Sequence, residues 1–400
     1  MAPFAFLRSE AHKASQAAEF TRLVGAARRD TLCTVGVPED PEIRGEVGCI
    51  STPLRLRALT VVVRKRPLNS SERGRGEFDV LTVVPRSQLA ASQGVGSRMV
   101  VHEPRRRYDL TQSVHNTEFT FDRAYGESIG TRSLYADLLA PVMGALARGL
   151  QATVFAYGQT GSGKSYSMSG LTNAALGDVF SMAAGGGGSP PFLVSVSYFE
   201  IYCSKVYDLL NDRAELSLRE DAQGTVQVVG LTEHCTSSPA VVQGLLARGA
   251  QSRSVGVTRV NADSSRSHSV LHLALREPSG GNPPPGGAGG LLGRLTLVDL
   301  AGSEAAADAD PPDKITHREA AEINKSLLAL KECIRSMARL QAQNDAAATA
   351  ALASGGGGHP LAAVEVSRPV GQRVLLAPKW SYPRVFFWGW KWESRGEDPV

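Results

Sequence analysis

Apolar runs of strand length alternate with longer amphipathic stretches along most of this chain. Leu59–Val63 (LTVVV) is a β-branched run that ends ahead of Pro67, as a buried strand does. Ala152–Tyr157 is a second strand candidate, followed by a glycine-rich turn and a helical segment. Leu193–Ile201, Ser269–Arg276 and Leu292–Leu300 repeat the strand pattern, and Ser133–Leu150, Ala240–Arg253 and Glu319–Leu340 read as helices. Strands that alternate with helices predict an α/β fold with a central, mostly parallel sheet covered by helices on both faces. Residues 1–30 read as a helix with a small apolar face of Phe20, Leu23 and Val24, and residues 31–58 as a loop broken by Pro38, Pro41 and Pro53. Gly185–Pro191 and Gly280–Gly290 are surface-loop sequences, and no internal repeat is present. After about residue 341 the pattern changes: an Ala run and four glycines lead into a tail that holds every Trp of the chain, at 380, 388, 390 and 392.

Composition narrows the classes. The 400 residues are 42% hydrophobic, enough for a sizeable core. A net charge of +4 is no global basic field, which argues against nucleic acid as the partner. The five cysteines (33, 49, 203, 235 and 333) lack paired spacing, so neither a zinc site nor a disulfide framework is expected. No apolar run approaches the roughly 20 residues that span a bilayer, and Met1–Lys13 lacks a secretory signal. A soluble, intracellular protein without a membrane partner is the expectation.

The chemistry begins at Gly158-Gln159-Thr160-Gly161-Ser162-Gly163-Lys164-Ser165, which fits G-x-x-x-x-G-K-[ST]. Glycines let backbone N–H groups curl around phosphates, and the following helix N-terminus adds a favourable dipole. Lys164 would reach the β- and γ-phosphates and the Ser165 hydroxyl a Mg²⁺ ion. Phosphate binding alone hydrolyses nothing; a second metal contact and a sensor of the γ-phosphate are also required. Leu295–Asp299 is an apolar strand ending in an acid suited to holding Mg²⁺, and Gly302 could offer its N–H to the γ-phosphate. On its own, an Asp–Leu–Ala–Gly sequence is also a common turn. The polar run Asn261–His268 is either a loop of capping hydroxyls or part of the same site.

Taken in order, these pieces resemble a known family. Phe155–Ser165 looks like the kinesin phosphate loop, Asn261–His268 resembles the first kinesin switch, Asp299–Glu304 the second, and Arg64–Pro67 the nucleotide-base motif. The resemblance covers about residues 59–340. It implies that ATP and Mg²⁺ are bound, with Arg64 and Pro67 flanking adenine, Gly158–Tyr166 cradling phosphate, and Asn261, Ser264 and Ser265 lining the γ-phosphate. Ser165, Ser265 and Asp299 would serve the metal. Arg266 and Glu304 would form the ion pair that closes the switches, and Gly302 would report the γ-phosphate. A guanine-reading Asn-Lys-x-Asp motif is absent, so a small GTPase-like switch gains no support.

Val63–Asn69, Asp109–Gln112, Val226–Leu231 and the helix Ala321–Cys333 are similar to kinesin-13, the internal-motor kinesins that use ATP to strip tubulin from filament ends. That implies microtubules as partner and a cytoplasmic, cytoskeletal location, and leaves the oligomeric state open. The expected tubulin contacts are Arg105, Arg106, Arg107 and Asp109 on a long hairpin, where the family's Lys-Val-Asp tip reads Arg107-Tyr108-Asp109. Lys325, Lys331, Glu332 and Cys333 would contact tubulin from the filament-facing helix. Residues 1–58 then read as a neck-like helix and linker, 59–340 as the motor, and 341–400 as a tail.

Three departures accompany the resemblance. The stretch between Met168 and Asp178 is short, 45–58 reads as an insertion, and the family pattern stops near Arg339. The segments that would supply a last strand and last helices are not found in 340–400. The expectation is therefore an incomplete motor with a poorly ordered tail, and either a depolymerising ATPase or an inactive nucleotide- and tubulin-binding module.

Overall fold

The structure is a computed structural model that describes residues 18–31, 59–84, 97–109, 111–184, 192–222, 226–255, 266–278, 289–303, 314–353 and 384–389. The strands are β1 Leu59–Arg64, β2 Leu81–Val84, β3 Ser97–Arg106, β4 Gln112–Phe121, β5 Arg123–Tyr125, β6 Gln151–Tyr157 and β7 Leu193–Tyr202. They continue with β8 Lys205–Asp208, β9 Ala214–Glu220, β10 Val226–Val229, β11 His234–Thr236, β12 His268–Arg276, β13 Leu291–Asp299 and β14 Arg384–Gly389.

The main sheet runs β10-β9-β8-β7-β12-β13-β6-β14-β1-β5, with β11 paired to β7. Its centre, from β13 through β6, β14 and β1 to β5, is parallel. From β13 outward through β12 and β7 to β10 the pairing is antiparallel. In the β7–β10 meander the cause is connection length, since the short turns that join these strands can only reverse a chain. β2, β3 and β4 form a separate antiparallel sheet whose long β3–β4 hairpin carries Arg105–Asp109 at its tip.

One face of the main sheet buries Ala152, Val154, Leu295 and Leu297 against Leu134, Met143, Leu171 and Val242 of the helices Thr131–Leu138, Ala140–Leu146, Lys164–Ala184 and Pro239–Val255. The other face packs Phe199, Val270 and Val298 against Ile323, Leu327 and Leu330 of the helix Lys314–Ala353. The small sheet carries the third cluster, where Val24 of helix 18–31 meets Val63, Leu81 and Met99. Arg28 fixes that helix in place, with its Nη2 2.8 Å from Asp79 Oδ2 and its Nε 3.0 Å from Thr82 Oγ1.

Three expectations change, and one noted departure finds its place. The helix expected over Ser133–Leu150 is two helices that meet at Leu139, because Pro141 has no N–H to continue the first. The short Met168–Asp178 stretch leaves Lys164–Ala184 as one unbroken helix. The helix expected to end at Leu340 continues to Ala353. Its Ala-rich extension favours helix, and Gln341 clamps β1 through Leu59 N–H to Oε1 (2.7 Å) and Nε2 to Leu59 O (3.2 Å).

The largest change lies in the tail, read above as poorly ordered and as contributing no strand. Arg384–Gly389 lies in the centre of the sheet, parallel to β1 over six residue pairs and to β6 over four. The physical reason is that β1 and β6 do not pair with each other and both need a neighbour. Tail residues 354–383 and 390–400 lie outside the described residues, as do 1–17, the 45–58 insertion and most of the two glycine-rich loops.

Candidate functional site

The site forms where β6 and β13 end side by side, Asp299 in register with Ala156. Ligands of open α/β sheets bind beyond the carboxyl ends of the strands, and β6 there turns through Gly158–Gly163 into the helix that starts at Lys164. Gly161 and Gly163 hold φ of +77° and +89°, angles that side-chain-bearing residues avoid, so the turn depends on glycine. Lys164, 7% exposed, donates to the carbonyls of Gly158 (2.9 Å) and Gln159 (3.0 Å). Its ammonium is thus held inside the loop it serves.

Ser165 Oγ donates to Asp299 Oδ2 at 2.6 Å, across 134 positions of sequence. Two of the three predicted metal contacts are thereby adjacent, and the third, Ser265, lies outside the described residues. Asp299 Oδ1 is buried and has no hydrogen-bond partner among the described residues, and the same holds for Ser162 Oγ in the loop. A buried carboxylate oxygen left unpaired beside a hydroxyl is a fitting donor set for a hard divalent cation. The segment after Asp299 is laced to the phosphate loop through Leu300 N to Ala156 O (3.3 Å) and Ser303 N to Gly158 O (3.2 Å). Gly302, buried, therefore lies against the loop.

Arg64 and Pro67 follow at the end of β1. The Arg64 guanidinium donates to Ser167 Oγ (2.8 Å) and Ile129 O (3.1 Å) and lies over the ring of Tyr166 at 5.5 Å. It thus faces the first turn of the phosphate-loop helix, and Tyr166 itself is 69% exposed. Arg66 pairs with buried Glu72 at 2.5 Å, which orders the turn through Pro67.

Arg253 was not foreseen. It lies near the end of helix Pro239–Val255, and no motif marks it. Its Nη1 is 3.3 Å from Asp299 Oδ2, its Nε 3.7 Å from Glu200 Oε1, and its Nη2 donates to Ser267 O at 3.0 Å. Glu200, 1% exposed, is also paired with Arg213 at 2.6 Å. This buried charge network fixes the aspartate's position. His268, which ends the first switch sequence, was not singled out either. Its Nδ1 accepts from Ala301 N–H at 3.0 Å, and burial, with the nearby Arg253 charge, lowers its pKa to about 4, so it is neutral.

Arg266 is described and half-buried two residues ahead of β12. Asn261, Ser264, Ser265 and Glu304 lie outside the described residues, and so does the Arg266–Glu304 pairing. The expected tubulin contacts fall on two separate elements. At the hairpin tip, Tyr108 is fully exposed and Arg105 pairs with Glu103 at 2.7 Å. Asp109 accepts from Thr111 N–H (3.0 Å) and Oγ (2.6 Å), which close the turn and lower its pKa. On the long helix, Lys325, Glu332 and Cys333 are exposed, and Glu332 is paired with Arg335. Lys331 is turned back over the Tyr157 ring at 5.7 Å, beside the start of the phosphate loop.

Fold and site together define a phosphate-loop nucleotide-binding protein. Residues 64–347 match the kinesin motor domain, and the chain belongs to that family. It is 42% identical over 281 residues to kinesin-like protein KIN-13B of Arabidopsis thaliana, 70% of this chain and 39% of that protein. Against kinesin-like protein KIF24 of Homo sapiens the identity is 40% over 288 residues, 70% and 20% of the two chains. Against KIN-13A of Oryza sativa subsp. japonica it is 40% over 293 residues, 70% and 34%. The chain thus spans between a fifth and two fifths of the length of these relatives. A solved structure of a fast kinesin superposes with a TM-score of 0.52 at 30% identity, covering 67% of this chain and 72% of that one.

Proposed function

We propose that this chain binds Mg-ATP and hydrolyses it, and that it couples this cycle to microtubules in the manner of a depolymerising kinesin-13 motor. The observation that carries the reading is the Ser165–Asp299 contact at the mouth of a lysine-bearing phosphate loop. Ser165 and Asp299, with Ser265, would hold the metal. Bound Mg²⁺ would neutralise phosphate charge as it develops. Lys164 would release its loop carbonyls to take the β- and γ-phosphates, and the Gly302 N–H would meet the γ-phosphate. Arg266 and Glu304 would close the switches around ATP and place the attacking water, so acceleration would come from positioning and electrostatics. The hairpin tip and the exposed side of the long helix would meet acidic tubulin.

A second reading, an inactive nucleotide- and tubulin-binding module, draws on one observation. The central strand comes from Arg384–Gly389, beyond the residues that match the family. ATPase measured with and without microtubules separates the two. The motor reading expects turnover that rises with microtubule concentration and is lost in Lys164→Ala, together with Mg-ATP binding. Binding of both ligands with no stimulated turnover would establish the module instead. Undiminished Mg-ATP affinity in Lys164→Ala would overturn the phosphate-site assignment that both readings share.

A further inference from the structure

The imidazole of His268 ties its own strand to two further segments. Ala301 N–H points at Nδ1 from 3.0 Å, so Nδ1 must carry a lone pair and the ring proton must be on Nε2. Nε2 lies 2.8 Å from Ser326 Oγ on the helix Lys314–Ala353. That hydroxyl donates its only proton to Ile323 O at 2.7 Å, so it accepts from Nε2–H. Every donor and acceptor is accounted for, in one direction, from the backbone after Asp299 through the ring to the helix backbone.

The placement of this chain of bonds matters. Ala301 is fully buried between Asp299 and Gly302, and Leu300 and Ser303 nearby are tied to Ala156 of β6 and to Gly158. Ser326 precedes Leu327, which is 2% exposed in the cluster with Val270, Val298 and Leu300. Lys325 and Glu332 project from the same helix to solvent. His268 is itself 7% exposed, which leaves little room for water to replace a lost bond. A neutral imidazole offers an acceptor and a donor on opposite sides of a rigid ring, so movement at Ala301 is passed on without slack.

We propose that His268 is a positioning residue that couples the γ-phosphate side of the nucleotide site to the helix Lys314–Ala353 through Ala301 and Ser326. A shift of Gly302 on meeting phosphate would displace Ala301, and the ring would carry that displacement to Ser326. Tubulin pressing on the helix would act through the same bonds in reverse, since coupling of two binding sites is reciprocal. The inference rests on the proposed nucleotide and tubulin binding.

The test uses the full chain. Affinity for a fluorescent Mg-ATP analogue is measured with and without saturating tubulin, and the ratio gives the coupling factor. Ser326→Ala removes the helix-side acceptor and leaves the Ala301 bond and the nucleotide site in place. It should shrink the coupling factor by roughly three- to tenfold, the worth of one such hydrogen bond. Tubulin-free affinity should stay near wild type, the thermal midpoint should fall by only a few degrees for the unpaired Nε2–H, and Ser326→Thr, which keeps the hydroxyl, should restore both midpoint and coupling. His268→Phe should abolish it. A wild-type factor retained in Ser326→Ala, or no recovery in Ser326→Thr, overturns the role of His268 alone. A wild-type chain whose nucleotide affinity ignores tubulin overturns the proposed function, and the coupling with it.

Discussion

Gly161→Ala is the most informative single change in the phosphate loop, because its cost can be traced to one angle. Gly161 has φ +77°, and among the described residues no atom beyond its chain neighbours lies within 4 Å of the place a Cβ would take. Crowding therefore contributes nothing, and the penalty is the left-handed backbone itself, roughly 1–2 kcal/mol for a residue with a Cβ. A substituted loop either relaxes out of this turn or holds it under strain. Nucleotide binding needs its N–H groups converged, so binding must supply the difference. The expected result is Mg-ATP affinity weakened about 5- to 30-fold. The thermal midpoint without nucleotide should hardly move, because the loop is local. Gly161→Asn should fall between Ala and wild type, since Asn enters the left-handed region more readily. Gly293→Ala is the contrast: there a Cβ would meet Leu146 O at 2.0 Å, so stability should drop. Equilibrium titration with a fluorescent ATP analogue, paired with thermal unfolding, reads both quantities. Gly161→Ala binding within twofold of wild type would refute the claim that φ at this position limits the site.

Three further outcomes are expected. Burial first, and neighbouring arginine second, lower both His268 and His272 from 6.5 to about 4, so the fold keeps them neutral while the unfolded chain protonates them. Their contribution is complete above about pH 6.5 and is lost as pH falls toward 4, at about 1.4 kcal/mol per pH unit for each ring, which denaturant titrations over that range would detect. Phe386→Pro removes a ladder N–H from the central strand and should cost at least roughly 1–3 kcal/mol in a denaturant titration. Replacing Arg105 and Arg107 with Ala should weaken tubulin binding and flatten its salt dependence while basal ATPase persists; equal affinity across a salt series would reduce the hairpin tip to a solvated turn.

The sequence by itself determined whatever is local. A strand, a glycine-rich turn and a helix are contiguous from Gln151 to Ala184, so the phosphate loop, Lys164 and Ser165 were legible from spacing alone. Asp299 was legible as the acid ending an apolar strand, and the β1, β6, β7, β12 and β13 runs were legible from β-branched, apolar patterning. Tertiary structure alone decided what depends on distant partners. It brought Asp299 to Ser165 across 134 positions, and it set Arg253 against both Asp299 and Glu200. A buried arginine looks like any other helical arginine until the carboxylates it neutralises are in place. It also decided the fate of the tail. Val385–Trp388 is a short apolar run like many that remain unpaired, and its strand exists because β1 and β6 each present a backbone edge that needs a neighbour. Hydrogen-bonding edges are supplied by other parts of the chain, so a strand of that kind is written in its neighbours as much as in itself.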